Sequence, residues 1–199
     1  MNKFDKKLLI PIAVAILLLL GLFVYVSLSR TKAKQVETVK PILINEYANS
    51  PAAVSYMVDG QINGNESHRA IKITVSKDSR LIEVLSGYQY TPINSKAYDN
   101  TVEAYEPLLA SLQVAGFAKK RANSTASSAG ICPLGNRYYF ESTDIPSMPD
   151  KLWSSTCTTS SLFASGGKQG TFAGNLNTIQ QLFQKQIPDY ATITKNVKL

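Results

Sequence analysis

From Leu8 to Leu28 the chain reads LLIPIAVAILLLLGLFVYVSL, twenty-one residues without a charge, bracketed by Lys3, Lys6 and Lys7 before it and by Arg30, Lys32 and Lys34 after it. At about 1.5 Å of rise per residue such a run spans a hydrocarbon core of roughly 30 Å, so the pattern predicts a transmembrane helix over 8–28. A cleaved secretory signal is the alternative, but its apolar stretch usually covers only about 7–15 residues before a small-x-small site. The one candidate cut here is the weak Ser27-Leu28-Ser29. Pro11 falls in the first turns of the predicted helix, where a missing amide donor costs least.

Beyond the apolar run the period becomes two. Val54, Tyr56, Val58 and Ile62 share one face of an extended segment that Asn63-Gly64-Asn65 turns. Ile71, Ile73 and Val75 then alternate with Lys72, Thr74 and Ser76, and Lys77-Asp78-Ser79 leads into Arg80 to Leu85. The pattern predicts three antiparallel strands in sequence. From Ser95 the spacing becomes helical: Tyr98, Val102, Tyr105, Leu109 and Leu112 form one stripe, with Ser95 as N-cap, Gly116 as stop and a bend at Pro107. Arg137 to Ser142 and Leu152 to Cys157 read as a hairpin with a long loop, and Asn177 as the cap of a helix carrying Ile179, Leu182, Phe183 and Ile187. Pro188 ends that helix, and ATITKNVKL suggests a last short strand. The expected fold class is α+β: an N-terminal transmembrane helix, then one domain with an antiparallel sheet covered by helices in the order β-β-β-α-β-β-α. Its expected divisions are a cytoplasmic N-terminus at 1–7, the span at 8–28, a stalk at 29–50 and an extracytoplasmic domain at 51–199.

Charge alters this picture only near the membrane. The formal net charge is +7, but residues 1–34 hold six basic residues and one acid, which leaves fifteen basic against thirteen acidic residues elsewhere. The basicity thus belongs to flanks that meet lipid head groups, and no nucleic-acid partner is expected. Lys119-Lys120-Arg121 opens the polar stretch ANSTASSAG and reads as a solvated loop. Because the flanking charges balance, orientation follows from other features. Long domains cross regardless of charge, and a cysteine pair suits an oxidising compartment, so the domain is placed outside.

Cys132 and Cys157 are the only cysteines. With the hairpin loop centred near residues 146–147, Cys157 faces about position 136, and a bond to Cys132 staples the hairpin's open end. A redox or metal role fits poorly. Cys-Pro-Leu-Gly is not C-x-x-C, and His68, the single histidine, cannot complete four soft ligands. No cofactor and no metal are expected.

Catalytic patterns are absent from the sequence as well. There is no G-x-S-x-G elbow, the piece SGGKQGTFAGN lacks the G-K-[ST] ending of a phosphate loop, and His68 reads as a surface or strand-end residue. The aromatic residues Tyr138, Tyr139 and Trp153 are the candidate binding surface, weighed against the need of adjacent strands to fill a core with the same side chains. Sequons at Asn65 and Asn123 are no more than chance provides.

NTVEAYEPLLASLQVAGFAKKRA, ICPLGNRYYFE and GTFAGNLNTIQQLFQKQIPDY resemble segments of uncharacterised single-pass membrane-anchored proteins of candidate-phyla-radiation bacteria, the Saccharibacteria among them. The most specific parts are C-P-x-G-x-R-Y at Cys132 to Tyr138, the cysteine after W-S-S-T, and G-T-F-x-G-N from Gly170. The resemblance implies a bacterial, surface-exposed domain with paired cysteines and carries over no catalytic residue. Together these readings lead to a non-enzymatic envelope protein. It would meet the lipid bilayer through 8–28 and bind another envelope protein or a surface polymer. Two other readings stay open: an anchored hydrolase or wall-modifying enzyme using a hydroxyl from Ser154 to Ser161, and a self-assembling structural subunit.

Overall fold

The computed structural model describes residues 43–122, 127–146, 148–149, 151–157 and 170–199. Its strands are β1 (Ala53–Asp59), β2 (Arg69–Ser76), β3 (Ser79–Ser86), β4 (Thr91–Asp99), β5 (Arg137–Thr143) and β6 (Lys151–Ser155). Its α-helices are α1 (Val102–Val114), α2 (Leu176–Gln184) and α3 (Tyr190–Thr194), and a 3-10 turn covers Ile44–Tyr47. All six strands belong to one antiparallel sheet in the order β4-β3-β2-β1-β5-β6.

This corrects the expected α+β order. The architecture is a single antiparallel six-stranded sheet with few helices. Among the described residues no helix is long and apolar enough to cross a membrane. The predicted span at 8–28 and the N-terminus at 1–7 lie outside the described residues.

The expected helix from Ser95 is corrected at its start, where the chain is instead the second half of the strand β4. Ser95 and Tyr98 lie in it, opposite Glu83 and Arg80 of β3. Tyr98 matches a helical spacing to Val102 only by coincidence. The backbone at Thr101 is extended, with φ −135° and ψ 160°, and its side-chain oxygen accepts from the Ala104 amide at 3.3 Å, so α1 starts there. From Val102 the helix runs unbroken past Pro107 to Val114. Gly116 then adopts φ +78° while the Phe117 amide donates to the Leu112 carbonyl at 3.0 Å, a left-handed stop that glycine adopts without side-chain strain. At the other end of the chain α2 is capped by Asn175, two residues before the predicted cap, through its Oδ1 and the Thr178 amide at 3.1 Å. The expected final strand is instead the helix α3.

Alternation sorts the sheet residues onto two faces. Val54, Tyr56, Val58, Ile71, Ile73, Val75, Ile82 and Phe140 meet Tyr105, Leu109, Leu112, Ile179 and Phe183 of α1 and α2 in the main core. Ile44 and Ala48 join it from the segment read as stalk. Aromatic rings fill its middle: Phe140 stacks on Phe172 with centroids 4.1 Å apart and meets Phe117 edge-on at 6.1 Å. A smaller cluster on the opposite face joins Met57, Ala70, Leu85, Tyr139 and Trp153, so the middle of the sheet is buried on both sides.

The two edges of the sheet are treated differently. Beside β6, the Phe172 amide donates to the Trp153 carbonyl at 2.9 Å, and the Trp153 amide donates to Thr171 Oγ1 at 3.0 Å. Gly170 makes this approach possible, because any Cβ there would run into the Trp153 carbonyl oxygen. On the other edge, β4 is exposed along nearly its whole length and carries Pro92 and Lys96, residues that discourage strand addition.

Phe140→Ala is expected to cost about 3–5 kcal/mol, because the cavity would open among three other rings. Urea denaturation of the variant measures it, and a loss below about 1 kcal/mol would show that the core is not centred there.

Candidate functional site

Three residues distant in sequence meet at one end of the sheet for reasons of register. Asp59 closes β1, and Arg137, the first residue of β5, stands directly opposite it. The connection from β1 to β2 turns at Gly64, whose carbonyl accepts from the amides of Ser67 and His68, and delivers His68 just before β2. Asp59, His68 and Arg137 are all buried, with exposures of 1%, 0% and 4%. His68 Nε2 lies 2.7 Å from Asp59 Oδ1, while Arg137 donates from Nε to Asp59 Oδ2 at 2.9 Å and from Nη2 to the Gly60 carbonyl at 2.9 Å.

The remaining nitrogen of His68, Nδ1, faces the Gln61 carbonyl at 3.0 Å. Both imidazole nitrogens are thus engaged inside the cluster, one by the carboxylate and the other by a backbone carbonyl. His68 therefore presents no unengaged nitrogen to a substrate. The Asp-His pair resembles the orienting half of a catalytic triad, but its outward nitrogen is tied to backbone and sealed from solvent. Its work is to hold loops together. Tyr90 borders the same carboxylate; burial and then the Asp59 charge raise its phenol pKa.

Over this cluster lie loop 60–68, loop 87–90 and loop 131–136. The Ile62 amide donates to the Pro133 carbonyl at 2.8 Å, which joins the first loop to the third. The Tyr88 amide donates to Asn65 Oδ1 at 2.9 Å, and the Tyr88 hydroxyl donates to the Asn63 carbonyl at 2.8 Å, which joins the first to the second. The Tyr88 ring stacks on His68 with centroids 4.2 Å apart and planes 16° from parallel. Cys132 and Cys157 are disulfide-bonded, Cα atoms 5.5 Å apart, and the Thr156 amide donates to the Asn136 carbonyl at 3.0 Å, so the third loop is stapled to the end of β6.

The result is a rigid loop end that exposes apolar groups. Ile62, Tyr88 and Leu134, with exposures of 37%, 40% and 82%, all sit on these loops. Gln61, Asn63, Asn65, Ser67 and Gln89 are exposed on the first two of these loops, and Glu66 is the one exposed acid or base the three loops carry. Beside loop 60–68 an open cleft of about 630 Å³ lies between the sheet and α3, lined by Ser67, Arg69, Ile93, Asn94, Asn196 and Lys198 among others.

The residues predicted as a binding surface are not brought together. Tyr138 packs in the main core near Tyr56, whereas Tyr139 and Trp153 belong to the smaller cluster on the opposite face. Each is under 10% exposed, and Tyr139 is further covered by Lys151 Nζ, 4.2 Å above its ring. The proposed nucleophiles fare similarly. Ser154 and Ser155 are buried, Ser155 Oγ donates to the Cys157 carbonyl at 3.3 Å, and Ser160 lies outside the described residues. Lys120 and Arg121 are tied to Phe172 and Thr171 by backbone bonds rather than standing in a free loop. The sequon at Asn123 also lies outside the described residues. No group of acids, cysteines and histidine suited to a metal occurs among the described residues.

The exposed loop residues left no periodic signal. His68 was the one marker available: a single histidine nine positions after Asp59, across a turn, places both at the same end of a hairpin.

Asp59→Asn removes the charge that pairs with the buried Arg137 guanidinium and is expected to cost about 3–5 kcal/mol in chemical denaturation, whereas Glu141→Gln, which loses the half-exposed Lys72 and Lys151 pairs, costs less than about 1 kcal/mol. Equal losses would mean the buried cluster is not a clamp. Reduction of the disulfide, which closes a loop of sequence separation 25, should lower stability by about 3 kcal/mol, read as a shift in denaturation midpoint with and without reductant. No protein-family model matches this chain and no curated protein matches it, so its function rests on the geometry of its own residues.

Proposed function

We propose that this chain is a non-enzymatic binding domain of the cell envelope, tethered at the membrane by the apolar segment 8–28 and displayed outside the cytoplasm. One observation carries the reading: three loops from different hairpins are locked by a buried Asp-His-Arg cluster and a disulfide, and they present Ile62, Tyr88 and Leu134 to solvent. Pre-ordering loops in this way lowers the entropy lost on binding, which is useful to a recognition surface and unnecessary for a spacer. The disulfide supports an oxidising location, and the uncharged run with basic residues on both sides supports contact with a bilayer. The hydrolase alternative loses its base, since both nitrogens of the single histidine are engaged.

The test uses the full chain, solubilised in detergent, mixed with envelope fragments from the cells that make it. Wild type and the Val114→Glu control, altered at a 91% exposed site on α1, are expected to co-sediment, while Leu134→Glu with Ile62→Glu loses about tenfold in affinity. Equal binding by all three chains, or no binding by wild type, rejects this reading.

A further inference from the structure

Building on the binding role above, we infer that the loop end recognises a neutral polysaccharide, with Tyr88 as the platform on which a sugar ring lies. One face of Tyr88 rests on His68 and its hydroxyl is taken by Asn63, so its 40% exposure belongs to the opposite face and the ring edge. A flat aromatic face, held from below and at its tip, suits the C–H face of a pyranose: the ring is electron-rich where the sugar's C–H bonds are electron-poor. An apolar anchor for a protein has no need of such flatness and is usually a side chain free to adjust in a pocket.

The surroundings point the same way. Gln61, Asn63, Asn65 and Gln89 carry side-chain amides, each with donors and an acceptor that match vicinal hydroxyls, and Ser67 adds a hydroxyl. Gln61, Asn63, Ser67 and Gln89 are exposed on the same two loops as the ring, and Asn65, also exposed, spends its Oδ1 on the Tyr88 amide and so keeps its NH₂ for a ligand. Glu66 is the one exposed charge on these loops, so neither a polyanion nor a cationic peptide finds a complement there. The platform is also fixed before binding: loop 60–68 is tied to loops 87–90 and 131–136 through backbone and amide hydrogen bonds. A weakly held polar ligand that repeats along a polymer gains most from a surface that costs nothing to order, and successive chains on one wall raise the effective concentration.

The deciding experiment measures binding of the detergent-solubilised full chain to polysaccharide released from the envelope of its own cells and stripped of protein by protease. Wild type is expected to bind, Tyr88→Phe to bind within about threefold because the ring remains, and Tyr88→Leu to lose about tenfold because an apolar group of similar bulk is not flat. Unfolding midpoints checked in parallel show whether the leucine variant keeps its loops. If it does not, Gln61→Ala with Gln89→Ala, both at exposed side chains, replaces it and should lose at least about fivefold. Unchanged affinity in Tyr88→Leu, or in the glutamine pair, overturns the sugar platform. Binding to intact envelope that survives glycan removal but disappears after protease treatment means a protein partner, which sinks this inference and leaves the binding role standing; no binding to envelope in any form sinks both.

Discussion

One carboxylate organises this domain. Asp59 sits at the end of the central strand β1, between β2 and β5, and is held by His68 and Arg137, which arrive with each of those neighbours. A buried charge of this kind stabilises only when it is fully paired, and here the pairing is complete only in one register of both strand pairs. Sliding β5 by one residue would turn Arg137 to the helix-covered face and leave Asp59 with a single partner. The cluster thus specifies alignment more than it adds net stability. It does so at the end of the sheet where the loops used for recognition emerge.

The rest of the architecture can be read as support for that end. A sheet buried on both faces in its middle needs two cores, and the smaller one, around Met57, Tyr139 and Trp153, lies beneath the same loops. The bulky rings that a sequence reader would offer to a ligand are consumed in making the middle of the sheet dry. What remains for recognition are side chains on loops that follow no period. Stiffness is supplied from below by the ion cluster and from the side by the disulfide, leaving the upper surface to amides, a hydroxyl and one flat ring.

Where alternation was strong and bounded by turn residues, sequence and structure coincide: Ile71, Ile73 and Val75 face the main core, and the two cysteines meet across the β5–β6 hairpin. Gly116 stops α1 as its spacing suggested. Agreement fails at β4, which is exposed on both faces and so has no apolar alternation to display; Pro92, Asn94 and Ser95 are there because an edge tolerates them. It fails at His68 for a different reason. Burial of a histidine depends on a carboxylate and a carbonyl that the fold delivers from elsewhere, and nothing in the neighbouring residues announces them. It fails for the candidate binding surface because adjacency on a strand, as in Tyr138 and Tyr139, guarantees opposite faces.

The strand order also carries a temporal consequence. From β1 to β4 every neighbour in the sheet is the next strand along the chain, so this meander can assemble from short loops as soon as it is made, whereas β5 must return across α1 and the following loop to pair with β1. Until it does, one side of the most apolar strand lies open and Asp59 lacks its guanidinium. The cysteines belong to the late hairpin and are brought into bonding distance by the pairing of β5 with β6. Oxidation therefore staples the last-made hairpin alone and leaves the earlier meander to hold itself, and the interval before β5 reaches β1 is when the emerging chain most needs protection from its neighbours.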